Sequence, residues 1–232
     1  EPSKFCIFEF IYFARPDSLI FGHNVYLIRK RLGAALAREH PLTADLVMPF
    51  PDSGTYAALG YAQTLGIPFE MGVIRNHYVG RTFIQPSQSM RDFAVRVKLN
   101  PVRDLLLDKR VVVVEDSIIR GTTSRTRIKA LREAGAREVS MVVSCPPTRF
   151  PCYYGIDFSS KGELIAAHKS VAEIRDFLGL DYLGYLSQEG LLAATHMDGQ
   201  SFCLACFDGH YPVPLTGDFS KTCFEAGWKP QS

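Results

Sequence analysis

The sequence has no apolar run approaching the roughly 20 residues that a helix needs to cross a bilayer, so no transmembrane helix is predicted. Its first residues contain neither a basic segment nor a small-residue cleavage site, and no secretory signal peptide is predicted. A net charge of +2 gives no overall field that would attract nucleic acid or a membrane surface. We therefore expect a cytoplasmic protein whose partners are neither nucleic acid nor membrane.

The chain has 232 residues, 47% of them hydrophobic and 22% charged, which is ordinary for a globular protein. This length allows one large domain, or one domain with an appendage. The residue pattern changes after Pro146 and Pro147. We therefore divide the chain into a core, residues 1–150, and a C-terminal helical and irregular segment, residues 151–232.

Alternating strand and helix patterns predict a mostly parallel α/β sheet flanked by helices. Strands are expected at 46–49, 69–74, 111–114 and 139–143, and helices at 24–39, 55–65 and 122–134. Further helices are expected at 163–167, 170–178 and 187–194. From residue 199 onward the sequence is rich in glycine, proline and aromatic residues without periodicity, which predicts an irregular segment that needs an external tie.

Six cysteines are present, and two of them form the pair Cys203-Leu-Ala-Cys206. Because nothing indicates secretion, this spacing favours metal binding or redox chemistry over a disulfide. Cys6 and Cys152 are candidate partners in a four-cysteine site that would tie the irregular segment to the core. Spacing alone allows structural zinc, an iron–sulfur cluster, or a pair that binds nothing.

The run VVVVEDSIIRGTTS at 111–124 carries the strongest chemical signal. Four consecutive β-branched residues, typical of a buried strand, are followed directly by Glu115 and Asp116. A hydroxyl-rich loop and a predicted helix come next. Loop N–H groups and the positive end of a helix bind phosphate, while carboxylates at a strand's carboxyl end can take sugar hydroxyls or a metal ion. The run therefore predicts a sugar-phosphate site, and it is not a Walker loop.

Two other segments could complete such a site. Pro51-Asp52-Ser53-Gly54 also follows a strand and precedes a helix, where it could present N–H groups to a second phosphate. The loop 75–84 contains Arg75, His77 and Arg81 around a glycine, and could close over a polyanion and exclude water.

Together these motifs resemble a known family. The run at 111–124 is similar to the phosphoribosyl pyrophosphate (PRPP) signature of type I phosphoribosyltransferases. The loops at 51–54 and 78–84 (YVGRTFI), with CIFEFIYFARPDS at 6–18, narrow the resemblance to the synthase half of glutamine PRPP amidotransferases. The resemblance covers roughly residues 5–212 and implies the type I phosphoribosyltransferase fold.

The resemblance implies a role for each motif residue. The 117–124 loop would bind the 5′-phosphate, and Glu115 and Asp116 would bind the ribose diol. The 52–54 loop would face the pyrophosphate. Ser53, Glu115 and Asp116 would bind Mg²⁺. The implied substrate-binding set is Asp52, Ser53, Gly54, Glu115, Asp116, Ser117, Arg120, Gly121, Thr122, Thr123 and Ser124. The implied catalytic set is Arg75, Tyr78, Arg81 and Asp116.

A four-iron four-sulfur (4Fe–4S) cluster is also implied, because many bacterial members carry one. The positions of its four ligands match Cys6, Cys152, Cys203 and Cys206. The resemblance therefore favours an iron–sulfur cluster over a zinc ion at this site. Cys145 and Cys223 have no counterpart in that set and are interpreted as free thiols.

Three departures from the family pattern stand out. The first acid of the pair is Glu115 where Asp is usual, and His77 stands where the closing loop usually has a basic residue, so one phosphate contact is weakened. The third is the larger one: no glutaminase domain is found in this sequence, and Cys6 belongs to the cluster set.

The implied activity is formation of 5-phosphoribosylamine from PRPP and ammonia, the first step of purine biosynthesis. The expected partners are a separate glutaminase domain or subunit, purine nucleotides as feedback inhibitors, and further copies of the chain. Two alternatives stay open: a non-catalytic nucleotide-sensing regulator on the same fold, and a purine-salvage phosphoribosyltransferase.

Overall fold

The structure is a computed structural model that describes residues 3–76, 99–158 and 160–215. Within these residues the strands are β1 (Phe5–Cys6), β2 (Leu19–Ile20), β3 (His23–Asn24), β4 (Leu46–Pro49), β5 (Val73–Arg75), β6 (Leu99–Pro101), β7 (Arg110–Glu115), β8 (Glu138–Val143), β9 (Tyr182–Tyr185) and β10 (Phe202–Cys203). The α-helices are α1 (Val25–Glu39), α2 (Thr55–Leu65), α3 (Arg103–Leu106), α4 (Thr122–Glu133), α5 (Ile165–His168), α6 (Val171–Leu178), α7 (Gln188–Thr195) and α8 (Ala205–Asp208). A π-helix covers Glu9–Phe13, and short 3₁₀ helices cover Lys161–Glu163 and Gly199–Ser201.

The central sheet has the order β4-β7-β8-β9, and all of its pairs are parallel. The four valines of β7 are buried between β4 and β8, as expected for a central parallel strand. This confirms the predicted α/β class, the strands at 46–49, 111–114 and 139–143, and the helices at 24–39, 55–65 and 122–134.

Two features of the sheet differ from the sequence prediction. The expected strand at 69–74 pairs with the central sheet through a single bridge from Phe69 to Val47, and β5 instead pairs antiparallel with β6. Strand β9 was not predicted, because Tyr182–Tyr185 has a glycine and two tyrosines in place of a β-branched run. Since β9 lies after residue 150, the sheet includes residues from both predicted segments.

Helices α1 and α2 cross at very short distance because two glycines lie at the contact. A Cβ atom on Gly33 would lie 1.9 Å from the backbone oxygen of Ala57, and one on Gly60 would lie 2.0 Å from that of Lys30. Asn24 caps the start of α1 by accepting a hydrogen bond from the N–H of Leu27 at 3.2 Å. This close crossing holds α2, and the loop before it, against the sheet.

The two ends of the described chain meet in a small parallel pair. Strand β1 pairs with β10, and this register places Cys6 opposite Cys203. Phe8 packs on Phe158 and on Phe207, each at 5.8 Å between ring centroids. The described part of the segment expected to be irregular, 199–215, is thus held to the N-terminus by strand pairing and aromatic packing.

Among the described residues, no helix has the length and apolar character to cross a membrane.

We predict that Gly33→Ala destabilises the fold, because the new methyl group would collide with backbone of α2 that cannot rotate away. The expected loss is about 1–3 kcal/mol or more in the free energy of unfolding measured with urea. Gly162→Ala is the control, since the nearest atom to its Cβ is Ser160 Oγ at 3.7 Å. Equal stability of both variants would contradict the close helix crossing.

Candidate functional site

The candidate site lies where β4 and β7 end side by side. The loop after β4 packs directly on β7: the N–H of Phe50 donates to the Val114 carbonyl at 3.3 Å, and a Cβ atom on Gly54 would lie 2.3 Å from that same oxygen. Only glycine allows this approach. Within this loop the peptide bond between Pro51 and Asp52 is cis. Because the loop packs on β7, the structure brings the two predicted phosphate loops together.

Glu115 and Asp116 form a buried acidic pair at the end of β7, and each is only 4% exposed. Their carboxyl groups are hydrogen-bonded to each other. The Ser117 hydroxyl donates to Asp116 Oδ1 at 2.6 Å, and the Ser53 side chain also hydrogen-bonds to Asp116. The residues predicted to bind Mg²⁺, Ser53, Glu115 and Asp116, are thus in one place.

Burial is the main electrostatic feature of this pair. It raises the pKa of Glu115 well above its usual range, and the charge of Asp116 adds to this rise while Arg127 opposes it. Burial also raises the pKa of Asp116, against the hydrogen bonds from Ser117 and Ser53. Two adjacent carboxylates with little water favour a shared proton or a bound cation.

Two arginines not predicted as site residues flank the pair. Arg29, on α1, is only 3% exposed and lies within electrostatic range of Asp116. Its guanidinium donates to the carbonyls of Phe10 at 2.8 Å and Ala14 at 3.0 Å. The helical pattern missed Arg29 because its partners are backbone carbonyls of a distant segment. Arg127 pairs with Glu115 at 3.2 Å.

The predicted phosphate loop ends at the start of α4. Gly121 has φ +75° and is the N-cap residue, so no side chain caps the helix. The first-turn N–H groups of a helix have no intrahelical partner, and together with the helix dipole they favour an anion. Thr122 and Thr123 are exposed beside them, and Ser124 is buried.

Of the remaining predicted site residues, some form ion pairs and others lie outside the described residues. Arg75, at the end of β5, forms an ion pair with Asp52, which brings β5 to the loop that was predicted to face pyrophosphate. Arg120 pairs with Glu163 at 2.9 Å. Tyr78, Arg81 and His77 lie outside the described residues.

Four of the cysteines line one cavity of about 660 Å³, on the side of the fold where β1 and β10 pair. These are Cys6, Cys152, Cys203 and Cys206, the predicted set, and each lies within electrostatic range of others. Burial raises the pKa of the Cys6, Cys203 and Cys206 thiols. Within residues 3–76, 99–158 and 160–215, no three His, Cys, Asp or Glu side chains are arranged to hold one metal ion.

Cys145 lies apart from the cavity lining and is fully buried. Burial raises the pKa of its thiol well above the usual value. It forms no disulfide, and neither do the four cysteines that line the cavity. Cys223 lies outside the described residues.

Comparison with known proteins gives relatives over nearly the whole chain, although no family model matches it. An amidophosphoribosyltransferase of Synechococcus elongatus is 52% identical over 94% of the chain and 44% of its own length. Amidophosphoribosyltransferase 2, chloroplastic, of Arabidopsis thaliana is 55% identical over 95% of the chain and 39% of its own length. The chain thus spans less than half the length of these relatives.

Solved structures of the same family also match this chain. The structure of glutamine PRPP amidotransferase from B. subtilis, complexed with ADP and GMP, matches with a TM-score of 0.87 and 52% identity, over 94% of this chain and 49% of that one. A structure described as the allosteric regulatory enzyme of purine biosynthesis matches with a TM-score of 0.86 at 52% identity, over 93% and 47%.

Stability should fall as the pH rises, because burial places the folded-state pKa values of Glu115 and Asp116 above their unfolded values. The unfolded chain loses these protons first, near pH ~4, so the stability they contribute is full below that pH and lost as the pH rises through the raised values. We expect the melting temperature, measured without magnesium, to fall as the pH rises above about 4, where the unfolded chain begins to lose these protons.

Asp116→Asn should reduce this drop, because it leaves one ionisable group where there were two. Glu133→Gln on the exposed side of α4 is the control and should keep the wild-type pH dependence. An unchanged slope in Asp116→Asn would contradict the assignment.

Proposed function

Since this chain belongs to the amidophosphoribosyltransferase family, we propose that it is the phosphoribosyltransferase part of such an enzyme and makes 5-phosphoribosylamine from PRPP and ammonia. This is the first step of purine biosynthesis. The observation that carries the proposal is the buried Glu115–Asp116 pair, which stands between the Ser53–Gly54 loop and the uncapped start of α4.

The substrate would span these elements. We place the 5′-phosphate on the 117–124 loop, where the first-turn N–H groups of α4 supply donors without a charged side chain. The ribose hydroxyls would reach Glu115 and Asp116. The pyrophosphate would lie along the loop of Asp52, Ser53 and Gly54, with Arg75 beside it.

Magnesium fits this donor set, because carboxylate and hydroxyl oxygens are the ligands it prefers. Ser53, Glu115 and Asp116 would hold it, and Mg²⁺ neutralises charge on the leaving pyrophosphate when bound. The burial of the acidic pair supports this assignment, since a cation would offset the mutual repulsion of the two carboxylates.

The chain itself would act mainly by alignment. Departure of pyrophosphate from the ribose C1 gives the sugar oxocarbenium character, and ammonia attacks the opposite face. Ammonia is already a nucleophile, so no strong general base is needed, and the protein supplies orientation, charge neutralisation and a site with little water. We propose that Arg75, Tyr78 and Arg81 close over the pyrophosphate, and that the role of His77 there is weaker.

We further propose that Cys6, Cys152, Cys203 and Cys206 hold a 4Fe–4S cluster. Four thiols around one roomy cavity suit a cluster, in which each cysteine binds a different iron. A zinc ion would need the sulfurs around one point at Zn–S distances of about 2.3 Å, and no three metal-binding side chains of the described residues are arranged in that way. The cluster would join β1 to β10 and take no part in the transfer reaction.

The partners and location are proposals as well. Ammonia would come from a glutaminase domain or subunit, and the complete enzyme would be a homo-oligomer that purine nucleotides inhibit. We propose the cytoplasm as its location, although the Arabidopsis relative is named as chloroplastic.

The test is pyrophosphate release from PRPP with ammonium salt and MgCl₂. We expect ammonia-dependent release by the wild type and a loss of roughly 100-fold or more in Asp116→Asn, with the fold intact by circular dichroism. Asp176→Asn, an exposed aspartate on α6, should react normally.

Other outcomes would favour the alternatives. Release that depends on a purine base and not on ammonia would identify a salvage transferase. Tight nucleotide binding without any turnover would identify a regulator. Near-normal activity of Asp116→Asn would remove this residue from the site.

A second prediction concerns the cysteines. Protein prepared without oxygen should be brown, should contain about four irons per chain, and should lose its colour in air. Cys152→Ser should lose the iron and part of the stability, whereas Cys145→Ser should keep the iron. A colourless wild type with one zinc per chain would contradict the cluster.

A further inference from the structure

Arg127 stands in an unusual position on α4. It comes three residues after Ser124, the last residue of the predicted phosphate loop. Its Nη1 lies 3.2 Å from Glu115 Oε2, and its guanidinium lies over the Phe50 ring at 5.1 Å from the centroid. One side chain therefore joins the helix of the phosphate loop, the acidic pair and the residue that leads into the 51–54 loop.

We propose that Arg127 is a positioning residue that fixes the Glu115 carboxylate for the ribose of PRPP. The inference rests on the proposed function and extends it to a residue that no motif includes. Arg127 does not itself touch the substrate in this account, and it acts through Glu115.

The need for such a residue follows from the side chain of Glu115. A glutamate has one more rotatable bond than an aspartate, so holding its carboxylate in one place costs more side-chain entropy. An arginine pair supplies charge-assisted hydrogen bonding that favours one orientation. The Phe50 ring restricts Arg127 in turn, since a guanidinium over an aromatic face is attracted to it.

The same contacts also place Arg127 between two binding loops. Phe50 is buried and hydrogen-bonds through its N–H to the strand that carries Glu115. Arg127 is about one-quarter exposed, so its charge is only partly screened by water. A shift of Arg127 would move the Glu115 carboxylate while β7 itself stays in the sheet.

The rival explanation is that Arg127 only stabilises the fold by packing on Phe50. A double-mutant cycle separates the two, because a positioning residue loses its effect once its target is removed. The affinity for PRPP in MgCl₂, measured by isothermal titration calorimetry, is the readout, supported by the KM and kcat of the ammonia reaction.

We expect Arg127→Met to weaken PRPP binding by about tenfold and to raise KM more than it lowers kcat. Arg127→Lys should recover part of the lost affinity. In the Glu115→Ala background, Arg127→Met should change the affinity less than twofold. Lys129→Met, which removes a 75% exposed cation of the same helix, should bind like the wild type.

Two results would overturn the inference alone: wild-type affinity in Arg127→Met, or an equal loss in the Glu115→Ala background. If Arg127→Met does not fold, Arg127→Gln takes its place in the cycle. A folded wild type that fails to bind PRPP would overturn the proposed function and the inference with it.

Discussion

The burial of two neighbouring carboxylates at the end of β7 is the constraint on which the rest of the site depends. Removing one charged carboxylate from water costs several kcal/mol, and placing a second beside it adds repulsion. The fold offsets this cost locally. Ser117 and Ser53 hydrogen-bond to Asp116, and Arg127 pairs with Glu115. We propose that a site built in this way receives a cation and an anionic ligand together.

Close backbone packing makes this arrangement rigid. Gly54 allows the loop after β4 to lie against Val114, and Gly33 allows α1 to lie against α2. Arg29 then joins α1 to the N-terminal segment through the carbonyls of Phe10 and Ala14, close to Asp116. The N-terminal segment also carries Cys6, so the same stretch of chain contacts Arg29 beside the acidic pair and lines the cysteine cavity.

Local features of the sequence were sufficient to predict the central strands of the sheet and the position of the two loops that follow them. The valine run predicts a buried central strand, and the loops at 51–54 and 117–124 do lie together at its carboxyl end. Arg29 and Arg127 were missed because each contacts residues from another segment of the chain, which only the folded structure brings beside it. Strand β9 was missed because an edge strand with tyrosines and a glycine has little β-branched signal.

We propose that α4 binds the 5′-phosphate while the acidic pair binds the ribose. A crystal structure of the chain with PRPP and Mg²⁺ tests it most directly. We expect the 5′-phosphate to lie within hydrogen-bond distance of the first-turn N–H groups of Thr122, Thr123 and Ser124, and the ribose hydroxyls to contact Glu115 and Asp116. A phosphate bound elsewhere, with the acidic pair free of ligand, would contradict it.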